Sequence, residues 1–176
     1  MHREISPNGI RHLCDMEKIL IDIELAGVFS EIDSRMYYQG ESMKRKDIDF
    51  VSIQTCDDDR EILLPIMETA LNNINGSLVK RVKDFEWHVG EKSISIELVP
   101  YLRIPEDHAG KVALLLKKSI FNYIVNYCCY EWLLVVKPEL ASVPENRNAV
   151  LLAEVSKFIG MISGRIRRRS TDLAGI

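Results

Sequence analysis

Ile19, Ile21, Ile23 and Leu25 alternate with polar Asp22 and Glu24, the period-two pattern of a strand over 19–25 with one buried face. At Val28 the period changes. Val28, Ile32 and Met36 recur every four residues with Phe29 beside them, which predicts a short helix ending near Gly40. Residues 1–16 are polar and irregular and read as an arm, and residues 39–49 read as a charged loop. Cys56-Asp57-Asp58-Asp59-Arg60-Glu61 has the form of a helix start. Asp57 or Asp58 can cap free backbone N–H groups, and carboxylates are favourable at the positive end of the helix dipole. Behind it Ile62, Leu63, Ile66, Met67, Ala70, Leu71, Ile74, Leu78 and Val82 trace one apolar stripe. Pro65 is expected to kink this helix or reset its first turn, and Gly76 to weaken it modestly. Ser93 to Val99 alternates again and predicts a second strand, with a turn at Gly90 before it and Pro100 and Pro105 ending it.

The C-terminal half carries two long amphipathic patterns. Glu106 and Asp107 open a helix running to about Val136, with Val112, Leu115, Leu116, Ile120, Tyr123, Ile124, Tyr127, Trp132 and Val135 on its stripe. Such a helix is about 45 Å long. Pro138 and Pro144 bracket a short connector, and a further helix from about Glu145 to Arg169 presents Val150, Leu151, Val155, Phe158, Ile159, Ile162 and Ile166. A connector this short makes the two helices antiparallel neighbours. The predicted fold is α+β and predominantly α: a helical bundle with two long antiparallel C-terminal helices and a small β-hairpin or sheet. Its expected divisions are an N-terminal arm and strand (1–26), a helical domain with an inserted strand at 93–99 (27–169) and a tail (170–176). Ile66, Leu71, Ile74, Leu116, Ile120, Ile124, Phe158, Ile159 and Ile162 are the expected core. Whether the strands pair within or between subunits is open at this stage.

Composition narrows the class. With 176 residues, 47% apolar and 28% charged, the chain matches ordinary globular domains and not a disordered, collagen-like or membrane protein. The N-terminus lacks the unbroken apolar stretch of a secretory signal. Val112 to Val136 is interrupted by Lys117, Lys118, Asn122, Asn126 and Glu131. At bilayer depth these would cost several kcal/mol, so a buried helix of a soluble, intracellular protein is expected.

Candidate chemistry is sparse. Cys14, Cys56, Cys128 and Cys129 form no CxxC pair, and adjacent helical cysteines point about 100° apart, which strains a disulfide. They read as soft core residues in a reducing compartment. The triplet Asp57-Asp58-Asp59 lacks EF-hand spacing and reads as a helix cap more readily than as a metal site. His2, His12, His88 and His108 show no helix-face metal spacing, and no GxGxxG or GxxxxGK[ST] is present. Tyr123, Tyr127, Tyr130 and Trp132 lie on a strongly apolar helix, where packing explains them better than base stacking. No catalytic residue, cofactor or metal is expected, and the chain reads as a non-enzyme.

Charge is the informative property. The net charge of −3 divides into −8 over residues 1–110 (13 Lys+Arg against 21 Asp+Glu) and +5 over 111–176 (10 against 5). Arg165, Arg167, Arg168 and Arg169 form the one unusual cluster. Three readings stay open: complement to a helix C-terminal dipole, contact with phosphates, or forked pairing with an acidic face of a neighbouring subunit. A general nucleic-acid binder is usually basic overall, and this chain is not.

Several strings, read in order, carry a resemblance. They are Val28-Phe29-Ser30-Glu31-Ile32-Asp33-Ser34-Arg35-Met36-Tyr37-Tyr38-Gln39-Gly40, then Thr55-Cys56-Asp57-Asp58-Asp59-Arg60-Glu61 opening a helix. Phe121-Asn122-Tyr123-Ile124-Val125-Asn126-Tyr127-Cys128-Cys129-Tyr130-Glu131-Trp132 follows, and Ile159 to Arg169 closes the series. Over residues 28–169 this layout resembles small virion structural proteins of phages and prophages of Bacteroides-type bacteria. More loosely, it resembles the head–tail connector (adaptor, neck) proteins of tailed phages. The first 25 residues lie outside the resemblance, and it includes no catalytic signature. It implies a ring homo-oligomer of about a dozen copies, portal or tail proteins as neighbours, a tail reaching into an adjacent protein, and a place in the virion after assembly in the bacterial cytoplasm. The expected function is therefore a connector subunit joining portal to tail, with Arg165, Arg167, Arg168 and Arg169 as candidate partner contacts. The alternatives are a tail terminator or tail-completion protein, and a nucleic-acid-binding module using those arginines, including non-specific contact with packaged DNA. No membrane partner is expected.

Overall fold

The structure, a computed structural model, describes residues 18–44, 59–101 and 106–162, with the backbone alone at 40–44, 106–109, 161 and 162. Among the described residues four helices pack with a three-stranded antiparallel sheet, an α+β fold dominated by helix. The chain runs β1 (Ile19–Glu24), α1 (Leu25–Lys44), α2 (Arg60–Leu78), β2 (Val82–Val89), β3 (Ser93–Pro100), α3 (Glu106–Val136), a 3-10 turn (Pro138–Leu140) and α4 (Ser142–Ile162).

The strand order is β1-β3-β2. β1 pairs with β3 inside the one chain, Ile19 opposite Leu98 and Ile23 opposite Ile94, which answers the pairing question the sequence leaves open. The third strand, β2, is absent from the sequence expectation, which assigns Val82 to the end of a helix. Instead α2 stops at Leu78, and Val82 begins a strand. A register shift between Val82 and Asp84 puts the buried residues Val82 and Phe85 three apart. A bulge of this kind breaks the alternation by which strands are recognised. β2 and β3 form a hairpin around Gly90, whose N–H donates to the Ser93 carbonyl at 2.9 Å.

Helix boundaries also differ from expectation, each for a local reason. α1 begins at Leu25, three residues early, and its backbone continues through Gly40 to Lys44. Leu25 is buried as the pattern requires, but as the first helical residue, its N–H donating to the Lys92 carbonyl at 2.9 Å. α2 begins at Arg60 and passes through Pro65. Pro65 removes one intrahelical bond, to the Glu61 carbonyl, and both residues are exposed, where water can satisfy that carbonyl. Asp59 occupies the cap position in a helical conformation and makes no side-chain capping bond. The expected caps Asp57 and Asp58 lie outside the described residues. α4 begins at Ser142, not near Glu145, because Pro144 falls in the first turn, where N–H groups have no helical acceptor.

One core joins all these elements. Ile19, Ile21, Ile23, Ile94, Ile96 and Leu98 supply it from the sheet, and Val28, Ile32 and Met36 from α1. Leu71, Ile74, Leu116, Ile120, Ile124 and Ile159 are buried as expected. Ile66 and Phe158 are only partly buried, and Ile162 lies outside the described side chains. Ile62, Leu115, Val135 and Val150, expected on buried stripes, are exposed. For Leu115 and Val135 the reason is the position of α3. Leu116, Ser119, Ile120, Tyr123, Ile124, Val125, Asn126, Cys128, Cys129 and Leu133 are all buried, a set that surrounds the helix instead of following one stripe. α3 is the central helix, packed by α1, α2, α4 and β1, and a single-face reading cannot describe a helix whose middle is buried on all sides while its ends emerge.

α3 and α4 are antiparallel neighbours. Asn126, buried on α3, donates from Nδ2 to the Pro144 carbonyl and to Asn148 Oδ1, both at 2.8 Å. Those two bonds fix the start of α4 against the middle of α3. Farther along, Arg81, in the turn between α2 and β2, donates to the Ser156 carbonyl of α4. A Cβ at Gly160 would come within 2.7 Å of that guanidinium, so the glycine leaves room for it.

Candidate functional site

The candidate contact residues Arg165, Arg167, Arg168 and Arg169 lie outside the described residues, as do Ile166 and the tail 170–176. The described part offers three features: a cleft, a pair of buried thiols and one charged sheet face.

The cleft lies where α1, α3, the 3-10 turn and the start of α4 meet, and has a volume of about 550 Å³. Arg35 Nε donates to Glu31 Oε1 at 2.9 Å on the α1 wall. Asn126, Cys129 and Leu133 line it from α3, and Arg147 from α4. Asn126 already donates twice to the first turns of α4, so it is a structural clamp and not a free recognition group.

Cys128 and Cys129 are buried and unpaired. Burial pushes the Cys129 thiol up to about 12, with the Arg35 cation pulling the other way, and pushes Cys128 up further still. Both are therefore neutral thiols at pH 7, the opposite of what a nucleophile or metal ligand requires. Of the four histidines, only His88 has a described side chain, exposed on the sheet. Among the described residues no group of three or more His, Cys, Asp or Glu is placed to hold a metal ion, and no helix is long and apolar enough to cross a membrane.

The sheet has two unlike faces. Directly paired residues in an antiparallel sheet share a face, so the register assigns each side chain. Ile21, Ile96 and Trp87 form one inward row, and Ile19, Leu98 and Phe85 the next. Outward lie Leu20, Glu97 and Glu86 in one row and Asp22, Ser95 and His88 in another, with Glu24 and Asp84 at the margins. Glu86 thus stands directly opposite Glu97, an arrangement that destabilises a sheet. Among the described residues Lys18 pairs with Glu97 through its Nζ. Its pKa is raised by that hydrogen bond and charge, and further by Glu86 and Asp84. The sequence registers the acidic excess of residues 1–110, but without β2 it cannot gather these carboxylates on one surface. The alternation of Phe85-Glu86-Trp87-His88-Val89 was the available signal.

Exposed apolar side chains occur at both ends of the long axis. Leu114 and Leu115 lie on the N-terminal part of α3, while Leu134 and Val135 lie near its other end, about 30 Å away. Val143 and Val150 add to the exposed surface of α4. Compared with protein-family models, curated proteins and solved structures, the chain gives no match.

Proposed function

We propose that this chain is a structural subunit of a phage particle, a head–tail connector that packs side by side into a ring between portal and tail. The observation that carries the reading is the unlikeness of its surfaces: a carboxylate-rich sheet face, exposed apolar groups at the two ends of α3, and a basic segment following α4. A closed ring of identical subunits needs two different faces on each copy, because its contacts are heterologous. The resemblance of layout to virion connectors supports the same reading.

Light scattering and negative-stain imaging of the purified full-length chain test this, alone and with a portal protein. Rings of uniform copy number that attach to the portal are the expected outcome. A strict monomer that ignores portal and tail proteins contradicts it.

A further inference from the structure

We propose that the outer face of the sheet receives the C-terminal segment, residues 163–176, of a second copy of this chain, with its arginines seated on Asp84, Glu86 and Glu97. The inference rests on the assembly reading and names the contact that joins neighbouring copies.

Charge complementarity is the first support. The segment carries Arg165, Arg167, Arg168 and Arg169 against the single acid Asp172, and the face carries Asp22, Glu24, Asp84, Glu86 and Glu97 against Lys18, with Lys83 exposed at the bulge beside Asp84. The second is the opposition of Glu86 and Glu97. Side chains directly opposite across strands are about 5 Å apart at Cβ, a spacing one planar guanidinium can bridge with its fork of donors. Lys18 shows that the face takes up a cation, since its ammonium is drawn by Glu97, Glu86 and Asp84 together. As a single point charge it leaves room for further cations.

Position is the third. α4 packs against α3 and α2, and the sheet meets α3 through β1 and α2 through β2. The C-terminal part of α4 comes close to one edge of the sheet, where Arg81, the residue before β2, donates to the Ser156 carbonyl and lies against Gly160. A segment leaving α4 at Ile162 therefore starts near the β2 edge of the sheet, and the assembly reading assigns it to the face of a neighbouring copy. Its 14 residues reach about 45 Å when extended, enough to cross to the next copy. Each copy then offers a basic segment and an acidic face, two unlike surfaces whose contact is heterologous and able to close into a ring.

Sedimentation velocity of the full-length chain, over a range of concentration and salt, reads the contact directly. A face variant carries Asp22→Lys, Asp84→Lys and Glu86→Lys, and a tail variant carries Arg165→Glu, Arg167→Glu, Arg168→Glu and Arg169→Glu. Each is expected to keep its helical circular dichroism and to weaken self-association at least about tenfold. The chain carrying both sets is expected to regain association with itself. Self-association that survives either set unchanged overturns the proposal. So does tail protection from protease that is independent of concentration, which would mean that the segment binds its own chain. Loss of DNA binding in the tail variant with self-association intact assigns the arginines to nucleic acid and also overturns it. Rings that form in every variant remove this contact but leave the assembly reading standing, whereas a chain monomeric throughout removes both.

Discussion

The two faces of the sheet follow different rules, although they share the same strands. On the inner face Ile96 lies between Ile21 and Trp87, apolar across all three strands and closed over by helices. One residue along, on the outer face, Glu97 lies between Leu20 and Glu86, with a carboxylate opposite a carboxylate. Folding explains the first row completely, since burial of such side chains stabilises the protein by about 2 kcal/mol each. It does not explain the second, which costs stability and contributes no packing. A surface that opposes the stability of its own fold is where a partner is best sought.

The largest expected effect lies on the inner face. Ile96→Ala is expected to cost about 2–5 kcal/mol in urea denaturation, because Ile96 is 2% exposed and its cavity cannot fill with solvent. Next is the polar clamp that holds α4 in place: Asn126→Ala removes both donors and is expected to cost about 1–3 kcal/mol, leaving the Pro144 carbonyl without that partner. A loss much below this range would mean that α4 is held by its apolar contacts alone.

The buried thiols give a pH test of the core. Their folded pKa lies above the ordinary 9.0, so above pH 9 the unfolded chain gives up protons that the folded chain keeps. Stability is therefore intact below pH 9 and falls as pH rises from there toward 12, by up to about 1.4 kcal/mol per pH unit for each thiol. Denaturation at pH 8 and pH 10 is expected to show this fall, and the chain carrying Cys128→Ala and Cys129→Ala to show a shallower one. Equal slopes in the two chains would place the alkaline loss elsewhere, on Tyr127 for example, whose hydroxyl is pushed up to about 12 chiefly by burial.

The smallest effect has the opposite sign and sharpens the comparison most. Glu86→Lys turns a like-charge pair into an opposite-charge pair, and is expected to raise the stability of the monomer by about 0.2–1 kcal/mol. If the same substitution lowers stability, the outer face contributes to folding and the contrast between the faces disappears.

Much of the fold was legible because its signals are local. The alternation of Ile19 to Glu24, the Glu106 start of α3 and its end at Val136 needed only neighbouring residues. What escaped depended on context. The bulge hid β2, the central position of α3 made its single stripe misleading, and Pro144 looked like a barrier when it was part of a first turn. The candidate surface was half legible: its acidic residues were counted as an excess over residues 1–110, but their concentration on one face required the register of all three strands. The arginine cluster was visible from composition alone, and its partner was not.

The most direct measurement is the mass of the full-length chain in solution, by sedimentation or light scattering, as concentration and salt are varied. A closed oligomer of defined copy number that loosens as salt rises is the expected result. A monomer at every concentration, with or without a portal protein, contradicts it.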